Sequence, residues 1–241
     1  HPSTLSSRFN PPFPAPPFLQ TLSLILLDDC QIPSPPLMSD SDSDDSYDGS
    51  DEYALHRAIK DGNDATALSI VRGGVDVNGE WGDHESTHLW YASRFNRVAI
   101  VSCLLELGAD VDKTTPYNGT PLCSAAYLGY QEVVELLVEV GNAQLNKQSF
   151  NGKTAVHGAA VRNQLEPSKY LVARGCSLTV QDNDGRTALD IATEEVHPEI
   201  VQFLTSASNL ITTNDYSSLS SLCAPFSSPY LSRRISLSLR T

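Results

Sequence analysis

Two histidines, His84 and His88, have a spacing that suits metal binding on a helix, because side chains four residues apart lie on one helical face. His84, however, precedes Thr87, a residue with the character of a helix N-cap, so His84 falls in a loop. The sequence places no third ligand beside the pair. We therefore predict no metal site, and we expect no cofactor.

Motifs for nucleophilic or phosphate chemistry do not occur in the sequence. There is no G-x-S-x-G elbow, no glycine-rich phosphate loop and no Cys–His arrangement of known spacing. The cysteines are odd in number and include no C-x-x-C pair, which favours small, reduced residues over a disulfide framework. They are Cys30, Cys103, Cys123, Cys176 and Cys223. We predict a non-enzymatic protein of a reducing compartment, the cytoplasm or also the nucleus.

The elements that must position any functional residue are repeated along the chain. Four threonines that open similar stretches, Thr87, Thr120, Thr154 and Thr187, stand 33, 34 and 33 residues apart. A fainter copy opens at Tyr53, 34 residues before Thr87. A period of this length indicates one supersecondary unit that cannot bury its apolar side alone and must stack on its neighbours.

Each unit predicts two helices and a projecting loop. The threonine can cap the first helix, and Pro121 suits the first helical position because the N–H it lacks would have no partner there. A glycine or asparagine then marks the helix end: Gly62, Asn96, Gly129 and Asn163. Apolar residues at helical spacing follow and stop at a second glycine. Turn dipeptides such as Asn151-Gly152 precede the next threonine.

This pattern resembles the ankyrin repeat. Thr120-Pro121-Leu122 with Ala125-Ala126 matches the T-P-L-H-x-A-A signature, and Gly108-Ala109-Asp110 matches the G-A-D that follows the second helix. The run from Asp182 to Thr187 matches the D-x-G-x-T turn. The resemblance covers residues 53–207 and implies an all-α solenoid of about five helix-turn-helix units with β-hairpin-like loops.

The resemblance also assigns structural roles to three histidines. His56 and His157 occupy a slot whose histidine bonds to a neighbouring loop in the family, and His197 occupies another commonly structural slot. Trp90, Cys123 and Asp190 depart from the pattern at the histidine slot. The segment 80–86 is not a normal turn, and Pro167 is tolerable only in the first turn of its helix.

The ends of the chain differ in composition from the repeats. Residues 1–37 are Pro/Ser-rich and predicted to be disordered, and Met38 is a candidate true start; a signal peptide with the core LQTLSLILL is the alternative. Residues 38–52 read as an acidic disordered tail and residues 208–241 as a Ser-rich disordered tail. The units between them are 53–86, 87–119, 120–153, 154–186 and 187–207.

Charge and hydropathy narrow the class of partner. The net charge is −13, and Ser39–Glu52 holds seven acids and no bases. An acidic chain without a basic stripe argues against nucleic-acid binding. No stretch approaches the roughly 20 apolar residues of a membrane span. We predict a monomer whose partner is a protein of unknown identity and neither nucleic acid nor membrane.

The first-helix ends and loop tips line the concave side in the resembled family, where partners bind. Aromatic and arginine residues at these slots, together with one leucine, are candidate binding anchors. At the helix ends these are Arg94, Phe95, Tyr127, Leu128 and Arg162, and at the loop tips they are Tyr117 and Phe150. The alternative is that Phe95 and Tyr127 pack between units.

The predicted function is that of a protein–protein interaction module, a scaffold or adaptor. Two alternatives stay open at this point. The repeats can be the regulatory part of a larger enzyme or channel, or they can act as a stoichiometric inhibitor of a partner enzyme such as a kinase.

Overall fold

The computed structural model describes residues 51–81, 86–115 and 119–224. Within them, helices follow one another in antiparallel pairs joined by short turns, and an unpaired helix follows the fifth pair. The pairs are α1 (Asp51–Asp61) with α2 (Asp64–Arg72), α3 (His88–Arg94) with α4 (Val98–Glu106), α5 (Pro121–Leu128) with α6 (Gln131–Glu139), α7 (Ala155–Val161) with α8 (Leu165–Ala173), and α9 (Ala188–Glu194) with α10 (Pro198–Thr212); α11 (Tyr216–Cys223) follows. The predicted all-α architecture of about five units is confirmed.

The repeated threonines begin the first helix of their units, as the spacing predicts. The Thr87, Thr120 and Thr187 hydroxyls accept the backbone N–H three residues later, at 3.2, 3.1 and 3.3 Å. Thr154 instead forms a reciprocal box with His157, whose Nδ1 lies 3.2 Å from the Thr154 backbone nitrogen. Each cap satisfies backbone donors that the helix itself leaves without partners.

The turns between paired helices require a left-handed residue. Gly62, Asn96, Gly129 and Asn163 have φ of 81°, 56°, 80° and 55°, as their types predict. The fifth unit places Val196 in this slot with φ 58°. A β-branched residue is an outlier in this region because its Cβ approaches the following carbonyl.

The helices stack in two layers. First helices pack on first helices in the order α1, α3, α5, α7, α9, and second helices follow the same order from α2 to α10. The recurrent alanines, including Ala92, Ala125 and Ala159, are fully buried between units. At Gly158 an added Cβ would lie 3.3 Å from the Cys123 carbonyl oxygen, so the small residue permits the close approach of α7 to α5.

The 34-residue spacing in the third unit is absorbed at the end of α6. Leu137 O accepts from Ala143 N, six residues on, whereas Leu104 O accepts from Ala109 N, five residues on, in the preceding unit. The left-handed residue shifts accordingly from glycine to Asn142, with φ 54°. The extra residue therefore widens one turn and leaves the stacking period intact.

Loops join successive units. In the first, β1 (Glu80–Trp81) pairs antiparallel with β2 (Ser86–Thr87), in the register Glu80 to Thr87 and Trp81 to Ser86. An isolated bridge joins Thr115 to Gly119 in the second. Pro167 is the third residue of α8, within its first turn, as a proline there requires.

The prediction of a disordered tail from residue 208 is wrong for residues 208–224. Helix α10 runs to Thr212, and α11 packs against α8 and α10 with Leu219 and Cys223 buried. The sequence does not indicate this terminal helix, because the segment is rich in serine and only one face of α11 is apolar. Helix α1 also begins at Asp51, inside the segment predicted as an acidic tail. The expectations for residues 1–50 and 225–241 lie outside the described residues.

Among the helices of residues 51–224 that the structure describes, none is long and apolar enough to cross a bilayer.

Candidate functional site

The first-helix ends of the three central units bring five predicted residues together. Arg94 is the last residue of α3 and Phe95 follows it; Tyr127 and Leu128 end α5; Arg162 directly follows α7. Because α3, α5 and α7 pack side by side, these residues form one surface. We call this surface the central strip and define it by Arg94, Phe95, Tyr127, Leu128 and Arg162.

Arg94 is a partly buried cation on the strip. Its guanidinium carbon lies 5.5 Å from the ring centroid of Trp90, one turn earlier on α3. Its Nη1 is buried without a hydrogen-bond partner among the described residues. Burial lowers the pKa of the Arg94 guanidinium, which nearby Tyr130 raises, but an arginine stays charged at neutral pH. The strip therefore holds a half-buried positive charge.

Arg162 supplies the second cation. Its guanidinium carbon lies 4.7 Å from the ring centroid of Tyr127, across the boundary between the third and fourth units. Arg162 is exposed, whereas Tyr127 is only 7% exposed. The arginine thus covers the tyrosine ring and turns its own charge toward solvent, an arrangement stabilised by the ring quadrupole.

Phe95 belongs to an aromatic cluster shared by the first two units. It is half-buried and stacks on Tyr91, with ring centroids 6.5 Å apart and planes at 8°. Tyr91 in turn meets Trp90 edge-on at 5.1 Å and His56 at 4.3 Å. Phe95 and Tyr127 therefore both contribute to packing between or within units, which is the alternative to a purely exposed anchor role.

Acidic side chains are missing from this part of the surface. The windows 88–97, 121–130 and 155–164, which contain α3, α5, α7 and their turns, hold no Asp or Glu, although the chain has 29. They hold three arginines: Arg94, Arg97 and Arg162. The equivalent windows of the end units contain Asp61 and Glu194. The centre of the first-helix layer is therefore a positive surface in an acidic protein.

The loop-tip candidates lie apart from the strip. Phe150 is 78% exposed, and its carbonyl accepts from Asn183 Nδ2 at 2.9 Å, so the next loop holds its backbone in place. Phe150 precedes Thr154, the N-cap of α7, whereas Arg162 of the strip follows the other end of that helix. Tyr117 lies outside the described residues.

Three aromatic residues around the strip escaped the sequence prediction. Trp90 and Tyr91 lie beside Arg94 and Phe95, and Tyr130 is the N-cap residue of α6. The sequence does mark Trp90 as unusual, because a tryptophan replaces the histidine of the repeat pattern. That replacement alone does not indicate that Trp90 lies beside a binding surface. Tyr91 and Tyr130 occupy slots that carry no functional expectation.

Two of the histidines behave structurally, as the resemblance implies. The His157 ring bonds to Thr154 through Nδ1, and its Nε2 lies 3.3 Å from the Arg186 carbonyl in the next loop. His197 Nε2 lies 3.1 Å from the Val161 carbonyl of the preceding unit. Arg97 does the equivalent between the first two units, donating from Nε to Ile59 O at 3.0 Å.

The described residues contain no group of three His, Cys, Asp or Glu side chains that could hold a metal. His84 lies outside them. A cleft of about 340 Å³ lies between α9, α10 and the preceding loop, lined in part by Leu178, Leu189 and Ser208. It contains no titratable group that could perform catalysis, and we assign it no chemistry.

Comparison with known proteins gives two kinds of match. The family model described as "Ankyrin repeats (3 copies)" matches residues 55–149 and 122–215. A nematode (Caenorhabditis elegans) homologue of transient receptor potential cation channel subfamily A member 1 is 30% identical over 152 residues, which are 63% of this chain and 12% of that protein. Human Rabankyrin-5 is 32% identical over 165 residues, 63% of this chain and 14% of its own length.

A shorter relative shares a larger fraction of its own length. Human ankyrin repeat and SOCS box protein 11 is 32% identical over 142 residues, 55% of this chain and 42% of that protein. The chain thus spans between about one eighth and two fifths of these three relatives.

Proposed function

The chain belongs to the ankyrin-repeat family, and on that premise we propose that it is a non-catalytic adaptor that binds an acidic segment of a partner protein on the central strip. Ankyrin repeats indicate a protein–protein interaction module. The finer assignment, to this surface and this class of partner, is the proposal. It places the protein in the cytoplasm or nucleus, where the buried thiols of Cys103 and Cys176 stay reduced.

The observation that carries the proposal is a pair of arginines that lie over aromatic rings of the central strip and have no acidic partner among the described residues. Among the described residues, Arg57 pairs with Asp61, Arg174 with Glu139, and Arg186 with Asp182. Arg94 and Arg162 instead lie over aromatic rings, on a layer of helices without Asp or Glu. Two cations that no nearby acid neutralises favour an anionic ligand.

The strip can also contact the apolar side chains of a partner peptide. Arginine and aromatic residues are the types that most often dominate binding energy. Leu128 is half-buried and Phe95 offers part of its ring, so apolar side chains between the acids of a partner can pack there. A guanidinium held over a ring is oriented before binding, which lowers the entropic cost of the contact.

A second candidate function is supported by the lengths of the relatives. The matched parts are small fractions of much longer proteins, one of them described as a cation channel homologue. The repeats can therefore serve as the regulatory part of a larger assembly. Both candidates use the same strip, and they differ in whether the partner is a separate chain.

The test is partner capture with the full chain and two variants. Arg94→Gln with Arg162→Gln removes both charges and keeps the polar side chains. Arg72→Gln, at the exposed end of α2 and with no described ion pair, is the matched control. We expect the control to retain every partner and the double variant to lose at least one specific partner while it remains folded. Full retention by the folded double variant would contradict the proposal.

A further inference from the structure

We propose that the chain's own acidic segment, residues 40–50, docks on the central strip and competes there with acidic partners. The inference rests on the proposed function, because it assigns a regulatory occupant to the same surface. It commits to one occupant, a segment of this chain that lies outside the described residues and ends where α1 begins at Asp51.

Charge complementarity is the first argument. Residues 40–50 read DSDSDDSYDGS, with five aspartates and no Lys, Arg or His. The central strip has the opposite charge: it contains Arg94 and Arg162, and the helices and turns that carry them contain no Asp or Glu. Opposite fields of this kind attract over about 8–10 Å at ordinary ionic strength.

The second argument is that these two arginines lie together on one surface without acidic partners among the described residues, whereas Arg57, which lies nearer the segment along the chain, and Arg97 are engaged. Arg97 donates to Ile59 O and lies 4.0 Å from Asp64. Arg57 pairs with Asp61 at 3.4 Å. Arg94 is half-buried and Arg162 is exposed, and neither forms an ion pair with a carboxylate of the described residues. A carboxylate of residues 40–50 that reaches this surface therefore meets cations that form no ion pair with an acid of the described residues.

Reach is the third argument. Helix α1 has 11 residues, so Arg94, at the far end of the neighbouring α3, lies roughly 20 Å from the start of α1 at 1.5 Å rise and about 10 Å between helices. Asp40 to Asp45 lie six to eleven residues before Asp51, which spans up to about 20–38 Å when extended. The aspartates can thus reach Arg94, and the most distant of them can extend toward Arg162.

The strength of the proposed intramolecular contact comes from the covalent tether and not from any single ion pair. Each surface pair contributes little by itself. A short tether, however, holds the carboxylates at an effective concentration on the order of millimolar. The contact is then populated in the free protein, yet a partner with additional apolar contacts displaces it. Serines between the aspartates would strengthen the contact if they were phosphorylated, because each phosphate adds about −1.5 to −2 charges.

The test uses a labelled peptide of residues 38–50 and fluorescence anisotropy at low salt. It is titrated into the full chain and into a full chain in which Asp40, Asp42, Asp44, Asp45 and Asp48 are changed to Asn. We expect the neutralised chain to bind the peptide at least about tenfold more tightly, because its strip is vacated. Adding Arg94→Gln and Arg162→Gln to the neutralised chain should abolish that binding, and adding Arg72→Gln should preserve it.

Three results would overturn the inference. Equal peptide affinity for both chains would show that the segment does not occupy the strip. Absence of binding to the neutralised chain would show that the segment does not fit it. Equal loss with Arg72→Gln and with the strip variants would indicate non-specific attraction. Partner capture by the same variants is a separate measurement: if partners ignore the strip while the peptide binds it, the proposed function fails and the intramolecular contact stands.

Discussion

Acidification should destabilise the first two units through His56 and His88. Both side chains are buried, His88 completely, and neither ring nitrogen of His88 has a hydrogen-bond partner among the described residues. Burial lowers the pKa of each to about 4; for His56 the charge of His88 adds to the effect, and for His88 Asp76 opposes it. Their ordinary pKa is 6.5.

The direction of the pH effect on stability follows from the difference in proton uptake between the unfolded and folded chains. Between pH 6.5 and 4 the unfolded chain binds protons that the folded chain refuses, so stability is fully present above pH 6.5 and falls as the pH is lowered toward 4. At 1.36 kcal/mol per pKa unit, lowering the pH from 7.5 to 5 costs about 2 kcal/mol for each histidine. This window lies above the range in which most carboxylates titrate, so the histidines dominate it.

The assay is urea unfolding of the full chain and of His88→Ala between pH 7.5 and 5. Alanine occupies the same slot in two other units, as Ala155 and Ala188, and a fully buried residue is tolerated there. We expect the wild-type free energy of unfolding to fall by about 2 kcal/mol more than that of the variant over this range. Parallel losses of stability in the two proteins would refute the reasoning, because they would show that His88 protonates freely in the folded state.

Val196→Gly should raise the free energy of unfolding by about 1 kcal/mol, measured by urea unfolding, because it removes a β-branched side chain from φ 58°; an unchanged or lower value would contradict the strain argument. Tyr127→Ala should lower the same quantity by about 3 kcal/mol, because the ring is 7% exposed and lies beneath Arg162, whereas wild-type stability would identify the ring as a surface group. Ending the chain at Asn214 should lower the melting temperature, because it uncovers the last unit; calorimetry showing no change would mean that Leu219 and Cys223 add nothing to the core.

The structural features that depend on adjacent residues in the chain were predictable from the sequence. The caps at Thr87 and Thr120 and the left-handed Asn96 each depend on a few adjacent residues, and their repetition at one period makes every copy support the others. The positions of Arg94 and Arg162 followed from the same period, because equal slots in stacked units must lie side by side.

Features set by contacts between distant residues were harder to predict: the sequence offered the packing of Tyr127 between units only as an alternative, and it did not indicate helix α11. Tyr127 is buried because Gly158 lets α7 approach and Arg162 covers the ring, and neither effect is visible in the local sequence. The sequence of helix α11 resembles a disordered serine tract, because it contains few apolar residues. Two of these, Leu219 and Cys223, are buried where α11 packs against α8 and α10. Both cases depend on a packing partner from another unit, α7 for Tyr127 and α8 for α11.

Site-specific photocrosslinking tests most directly whether partners bind on the central strip. A benzophenone amino acid is placed at Phe95, on the strip, and in a second protein at Leu107, which is 49% exposed at the end of α4 in the other helical layer. Both side chains tolerate a larger aromatic group because each already meets solvent. We predict that the partner crosslinks to position 95 and not to position 107. Crosslinking at position 107 alone, with both proteins folded, would place the partner on the second-helix layer and contradict the account.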